Sequence, residues 1–509
     1  MNSPCGEIEL KNRRSELQIV NVHFAQADTI LLPLQEQNRL SKTNMSTSAE
    51  FIQKLAFLTL VACSFALAGC GQSTPEPIAE APASERPPLK IWIVDAPELE
   101  KEISVRWQAA SDQTLKIENF SMDGFAARES LNPDVVIYPA LMLGDLVQKQ
   151  AISRLPPQAF VKRGADNTEQ TPADVSTSLW PVRWRNSATF GGQVYGMPLG
   201  ATNLGIAMVR LGGTLSLENL SSAKDMNSQS LGQWVQFLDR TETDLSDSRI
   251  KRQSVLEEHL LKISPIEKSF LVDRFLLIAS TTSARNRGLF ELVKMESRLT
   301  QTEFINSTMI LSRLALLFPE TILIEPSQAW EMAVTKSDRS PGFAMGWPNT
   351  SLIDNTDSPA KVTVAQWAWN PGRGLMASVA KKTRQTAVSC QFIAWLSEPE
   401  QREALRAVCS RIELAAGQND RNSIRDDYRA FQSINSNELP SEPMGLSLRM
   451  ANADQYRAIL SDSLVEALGS PDKIESILAD CSMKWNVLTN KLGMDQQRMS
   501  EEQSLGYRK

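Results

Sequence analysis

Histidine is almost missing from this chain, with two in 509 residues, and cysteine is scarce at six. Beyond Cys70 only Cys390, Cys409 and Cys481 remain, an odd number with no CxxC spacing. That pattern excludes a zinc-ligand set and a disulfide framework. Cys390 and Cys409 lie in neighbouring helix-like segments, so they either pair outside the cytoplasm or stay as buried thiols. His259, in EEHLLK, reads as a solvated position on a helix rather than a catalytic base. Basic residues do not exceed acidic ones (53 against 59, net charge -6), so the electrostatic footprint of a nucleic-acid binder is absent. Nucleophile elbow, HExxH pair and phosphate-binding glycine loop are all lacking. Neither a metal nor a cofactor is expected.

What is present is ordinary for a soluble globular protein: 42% hydrophobic and 22% charged residues. The exception is the apolar run LAFLTLVACSFALAGC over residues 55–70. It falls short of the roughly 20 residues that span a bilayer, and a proline-rich stretch follows it. Its last residues, Leu67-Ala68-Gly69-Cys70, are small side chains beside a thiol, the pattern of a lipoprotein signal whose cysteine is acylated. Residues 45–69 are therefore expected to be a signal peptide and Cys70 the lipid attachment point. Residues 1–44, polar with scattered charges, are expected to be a start extension called too early. About 440 residues then remain, enough for two lobes with sizeable cores.

Residues 70–88 read as a proline-rich tether. The folded part opens with LKIWIVD, a strand over Leu89–Asp95, followed by a helical stretch from Glu98 to Ala110. Thr114–Phe120 predicts a second strand, Asp123–Leu131 a helix, Asp134–Tyr138 a wholly apolar third strand, and Leu141–Gln150 another helix. This alternation predicts an α/β fold with a parallel sheet covered on both faces. Ligands in such sheets gather beyond the carboxyl ends of the strands, where Asp95 and Tyr138 stand. Asp95 offers hydrogen-bond acceptors to hydroxyl groups and Tyr138 a ring face; the competing readings are a helix cap and a core tyrosine. Further on, helical spacing recurs in Pro265–Ser280, Phe304–Leu317 and Gln328–Val334, while 281–288 has loop composition.

The landmarks LKIWIVD, PDVVIYPALMLGDLVQKQAISRLP, QVYGMPLGATNLGIAMVR, GLFELVKMESRLTQTEF, AMGWP, GLMASVAKKTRQTAVSCQFIAWLSEPEQREAL and YRAILSDSLVEALGSPDKIESILADCSMKWNVLTNKLG run in order over about residues 89–493. Their order and spacing resemble the extracellular solute-binding proteins of ABC sugar importers, the carbohydrate-binding family 1 that includes the maltose-binding proteins. That resemblance implies a two-lobed periplasmic-binding-protein-like fold of type II with a ligand cleft between the lobes. It places residues 89–200 and 374–414 in lobe 1 and residues 201–373 and 415–493 in lobe 2, with 494–509 a polar tail. The chain is then expected to cross between lobes at Tyr195–Gly200, near Gly374, and again after about Leu414.

Trp347 lies on a Gly- and Trp-containing loop that faces the cleft in the resembling proteins, with Trp369 and Trp184 as further candidates. A flat ring matches the apolar face of a sugar, and carboxylates or amides match its hydroxyl rim; packing inside a lobe is the competing reading of each tryptophan. The chain departs from the family where many members carry a charge after the third strand: here stands the uncharged Pro139-Ala140-Leu141-Met142. The expectation is a non-enzymatic, extracytoplasmic receptor, moored to the membrane by its lipid, monomeric, capturing a carbohydrate or related small solute for an ABC permease. The alternatives are a sensor lipoprotein without transport, or an exported glycan hydrolase.

Overall fold

The computed structural model describes residues 87–126, 128, 132–155, 182–200, 205–210, 231–244, 249–282, 288–335, 342–348, 361–365, 372–413 and 446–507. Cys70, Trp369 and the crossing expected after Leu414 lie outside the described residues.

The first sheet is built from β1 (Leu89–Val94), β2 (Leu115–Phe120), β3 (Val135–Pro139), β6 (Met197–Pro198) and β12 (Leu375–Val379) in the order β2-β1-β3-β12-β6. β1 runs parallel to β2 and β3, as the strand–helix alternation predicts. β12 is antiparallel to both β3 and β6, so the sheet is mixed rather than parallel throughout. The reason is connectivity: β12 comes from far along the chain and is not joined to β3 by a crossover helix.

Side-chain alternation distributes these strands between two apolar layers. Leu89, Ile91, Ile93, Val135, Ile137, Leu375 and Val379 point to one layer, with Trp107 of α1 (Leu99–Ala110) and Phe392 and Trp395. Trp92, Val94, Val136, Tyr138 and Met376 point to the other, with Phe125, Leu146 and Phe190. Helices α11 (Thr386–Leu396) and α12 (Pro399–Val408) belong to the first layer; α2 (Met122–Ala126) and α3 (Leu143–Gln148) belong to the second.

A separate three-stranded antiparallel sheet, in the order β10-β7-β11, is formed by β7 (Gly205–Arg210), β10 (Gly342–Gly346) and β11 (Lys361–Ala365). Its helices include α5 (Leu231–Asp244), α6 (Arg249–Lys262), α7 (Pro265–Thr282), α8 (Thr302–Leu317), α9 (Pro319–Ile322) and α10 (Pro326–Thr335). α13 (Ala453–Gly469) and α14 (Ile474–Leu492) join the same core, which runs from Phe237 through Phe304 and Phe343 to Trp485 and Leu488. β10 lies so close to α10 that a Cβ at Gly346 would collide with the Pro326 carbonyl. No helix among the described residues is long and apolar enough to cross a membrane.

Residues 494–504 correct the expectation of a polar tail: they form helix α15 (Met494–Ser504). Its Gln497, Ser500, Glu501 and Ser504 are buried because the helix closes a seam between the two halves. Ser500 Oγ accepts the Ala451 N–H at 2.7 Å, and the Gln503 carbonyl accepts the Gly191 N–H at 3.1 Å. Arg449, wholly buried, donates to the carbonyls of Asn186 (3.0 Å), Ser187 (2.8 Å) and Thr189 (3.3 Å) in α4 (Val182–Ala188) and β4 (Thr189–Phe190). At the same seam α3 approaches without clearance, since a Cβ at Gly144 would sit on the Arg449 carbonyl.

Two acids at this seam have a consequence for stability. Burial pushes the Glu501 carboxyl up to about 7, against the opposing pull of Ser504 and Arg449. Asp145 is likewise pushed up to about 7, by burial and then by the nearby Asp454 charge, although the Asn452 N–H and Lys149 draw it down. Both are raised above their unfolded values, so their contribution to stability is complete below about pH 4 and is lost as pH rises through 7. Melting should therefore occur at a higher temperature at pH 5.5 than at pH 8. Glu501→Gln should raise stability at pH 8 by on the order of 1–2 kcal/mol and flatten the profile; a melting temperature that falls on acidification to pH 5.5 would contradict this.

Candidate functional site at the junction of the crossing segments

Three segments lie side by side where the two halves meet: residues 196–200, 372–375 and 409–413. The Leu199 N–H donates to the Leu375 carbonyl at 2.8 Å and the Glu413 N–H donates to the Leu199 carbonyl at 3.0 Å. Gly200 is required by this closeness, since a Cβ there would overlap the Arg411 carbonyl. Arg402 fastens the bundle by donating to the Pro198 (2.6 Å) and Leu199 (3.0 Å) carbonyls, while its guanidinium stacks 4.5 Å from the Trp184 ring centroid. Trp184 is thereby accounted for by packing: its Nε1 donates to Glu413 Oε2 at 2.7 Å.

The middle segment carries Arg373 between Gly372 and Gly374. The carbonyls of Gly372 and Gly374 accept the N–H groups of Leu141 and Ala140, both at 2.9 Å, just beyond the carboxyl end of β3. Arg373 reaches from there to α7 in the other half. Its Nε donates to Asp273 Oδ2 at 2.6 Å, its Nη2 to Ser269 Oγ at 2.7 Å, and its guanidinium lies 4.6 Å from the Phe270 ring centroid. Asp273 Oδ1 accepts from Arg457 Nη2 of α13 at 2.5 Å, and Arg457 also reaches the Ser269 carbonyl at 3.2 Å. Burial alone would raise the Asp273 carboxyl, but the two guanidinium groups hold it below its usual range. Asp273 is therefore ionised at neutral pH.

Trp347 joins this group from the end of β10. Its ring is 1% exposed, meets Phe270 edge-on at 6.5 Å and 73°, and its Nε1 donates to Ser410 Oγ at 3.0 Å, across the junction. Arg406 secures the same turn by donating to the Ser410 carbonyl at 2.5 Å. Next to Ser410, Arg411 clamps the end of β1: Nη1 donates to Asp95 Oδ2 at 3.0 Å and Nη2 to the Asp95 carbonyl. Asp95 has a φ of 58°, a left-handed conformation that aspartate tolerates better than most residues.

The structure thus brings Trp347 and Asp95 to one junction and leaves Tyr138 beneath the sheet. Tyr138 is 0% exposed because alternation along β3 sends it into the second apolar layer, where its hydroxyl bonds Ser378 Oγ at 2.8 Å and burial pushes its phenol up. It presents no ring face to solvent. Asp95 does not cap α1, whose N-cap position is Glu98, and its carboxylate is engaged by Arg411. Trp347 lies within the second core rather than on an open wall. Cys390 and Cys409 are both buried free thiols, and burial pushes the Cys409 thiol up to about 12. Among the described residues no cluster of ligating side chains suits a metal ion.

Sequence reasoning missed Asp273, Arg373 and Arg457. A signal existed for the first: Asp273-Arg274 interrupts the otherwise apolar helical face of PIEKSFLVDRFLLIAS. Charges embedded in such a face must find partners on folding. The arginine partners of Asp273 stand 100 and 184 residues away, beyond the reach of local pattern.

No protein-family model matches the chain, and no curated protein matches it. Solved structures do. An ABC transporter solute-binding protein from Agrobacterium radiobacter K84, in complex with ribitol, aligns with a TM-score of 0.52 and 13% identity over 79% of this chain and 100% of that chain. The sugar-binding protein MalE from Xanthomonas citri aligns with a TM-score of 0.50 and 13% identity over 80% of this chain and 98% of that one. The likeness establishes the two-lobed, periplasmic-binding-protein-like α/β fold.

Replacing Asp273 tests how far the junction depends on its charge. Asp273→Asn should leave two buried guanidinium groups without a counter-charge and lower stability by roughly 3–5 kcal/mol. Urea unfolding of the variant checks this; a loss below about 1 kcal/mol would mean that solvent reaches the triad.

Proposed function

We propose that this protein is an extracytoplasmic receptor that binds a sugar or a related polar solute between its two lobes and delivers it to an ABC permease. The observation that carries the reading is the junction itself. The crossing segments bring the Arg373 guanidinium and the Ser410 hydroxyl against Phe270 and Trp347 of the second half, near the carboxyl end of the first sheet, where the loops of such sheets converge. The fold supports it, because the aligned protein from Agrobacterium radiobacter K84 holds ribitol and that from Xanthomonas citri is a sugar-binding protein. Closure of the lobes would distinguish loaded from empty receptor for the permease. Acylation at Cys70 would keep it beside the membrane, with residues 71–88 as the tether. The proposed chemistry is binding without turnover, with Asp273 and Asp95 engaged by Arg373 and Arg411.

Calorimetric titration of the protein from Cys70 onward with a panel of mono- and oligosaccharides and polyols should give one-to-one binding to at least one class, accompanied by a shift in tryptophan emission as the surroundings of Trp347 change. Silence across the whole panel would sink the reading. Expression in a bacterial host with labelled palmitate should give a labelled band that Cys70→Ser abolishes; unlabelled protein recovered from the cytosol would remove the anchor.

A further inference from the structure

Arg373 stands at the junction with an incomplete set of hydrogen bonds. Its residue is 3% exposed, Nε and Nη2 are taken by Asp273 and Ser269, and Phe270 covers one face of the guanidinium. Nη1 is buried and has no acceptor among the described residues. A buried donor without a partner costs about 1–3 kcal/mol, and more when the group is charged. Structures seldom keep such a group without a use for it. The charge is incomplete in the same place: Asp273 supplies one negative charge to two arginines, Arg373 and Arg457. Among the described residues the triad lacks one acceptor and one negative charge.

One chemical group supplies both. We propose that Arg373 Nη1 is a subsite for the carboxylate of an acidic sugar, so that the preferred solute is a uronic acid or another carboxylated saccharide rather than a neutral one. The assignment rests on the receptor reading above and narrows its substrate class. A carboxylate brings a single charge, which matches the surplus of the triad, and it accepts from guanidinium in a charge-assisted bond. The site is placed for it. Gly372 and Gly374 hold Arg373 at the carboxyl end of β3, and the loop that follows, Pro139-Ala140-Leu141-Met142, contributes no charge of its own. Phe270 lies against the guanidinium on the second lobe and meets Trp347 edge-on, so apolar side chains stand next to the place the carboxylate-bearing ring would take.

The test compares matched pairs on the same protein: D-galacturonate against D-galactose and D-glucuronate against D-glucose, as monomers and as dimers, with glucose 6-phosphate as a doubly charged control. A charge-assisted bond made on binding should favour at least one uronate over its neutral partner by about 10- to 100-fold in Kd. Arg373→Gln should abolish that preference, and Arg373→Lys, which keeps the charge but not the fork, should restore part of it. Neutral sugars binding as tightly as their uronates would overturn the carboxylate subsite while leaving the receptor reading intact. Tighter binding of glucose 6-phosphate than of either uronate would overturn the match to a single charge. No binding of any member of the set, neutral or acidic, would remove both the subsite and the sugar-receptor reading for these sugars. The wild-type pairs decide the preference even if the Arg373 variants fail to fold.

Discussion

A single carboxylate shared by two arginines fixes the relation between the halves of this protein. Asp273 lies in α7 of the second half, Arg457 in α13 of the same half, and Arg373 comes from the segment that leads into β12 of the first. Buried ion groups contribute little net stability compared with a well-packed apolar replacement, yet a broken one is strongly unfavourable. Their effect is therefore to forbid alternatives. With Arg373 held against Asp273, the Gly372 and Gly374 carbonyls reach Leu141 and Ala140, and β12 pairs with β3 in the observed register, Leu375 against Pro139 and Val379 against Val135. Leu199 then finds the Leu375 carbonyl, and Glu413 finds Leu199.

Arginine is the recurrent solution wherever chain segments end inside this protein. Arg274 donates to the carbonyls of Ile322 (2.6 Å) and Ile324 (2.9 Å), Arg402 to those of Pro198 and Leu199, and Arg449 to those of Asn186 and Ser187. Burial lowers each of these three guanidinium groups to about 10, which still leaves them charged at neutral pH. A guanidinium has five donors in a fixed plane, so one side chain can satisfy several carbonyls left over at the end of a helix or strand. These arginines contact backbone and have no counterpart in a ligand. Arg373 differs because its partners are side chains, Asp273 and Ser269, rather than backbone carbonyls.

How much of this was legible in the sequence follows from the range of each interaction. LKIWIVD and DVVIY read correctly as strands, since alternation is local and a strand apolar on both faces must be covered on both. The same alternation assigns Tyr138 to a core layer once Trp92 and Val136 are known to share its face; what it lacked was the identity of the covering elements, Phe125 and Phe190. β12 could not be recognised as antiparallel, because its neighbour β3 stands more than 200 residues earlier. The polar sequence of α15 concealed a helix with one buried face, where the Ser500 hydroxyl and the Gln503 carbonyl accept from the main chain of distant segments. Asp95 stands directly after β1, which ends at Val94, but Arg411, its partner, is 316 residues away and lies in a stretch without a motif.

The junction forms one continuous chain of contacts from the first lobe to the second, and its links differ in strength. It starts at Asp95, held by Arg411 through a pair only 13–15% exposed, and passes through Ser410 to Trp347, Phe270, Arg373 and Asp273. The ion pairs at both ends are desolvated, and separating one leaves a buried charge at a cost of about 3–5 kcal/mol. The Trp347–Ser410 hydrogen bond joins neutral groups and contributes about 1 kcal/mol, with a comparable amount from the edge-on contact of Trp347 with Phe270. Any motion that changes the angle between the lobes meets least resistance in the middle of that chain. Separation there would release the Trp347 indole from Ser410 and leave Asp273 bound to Arg373 and Arg457.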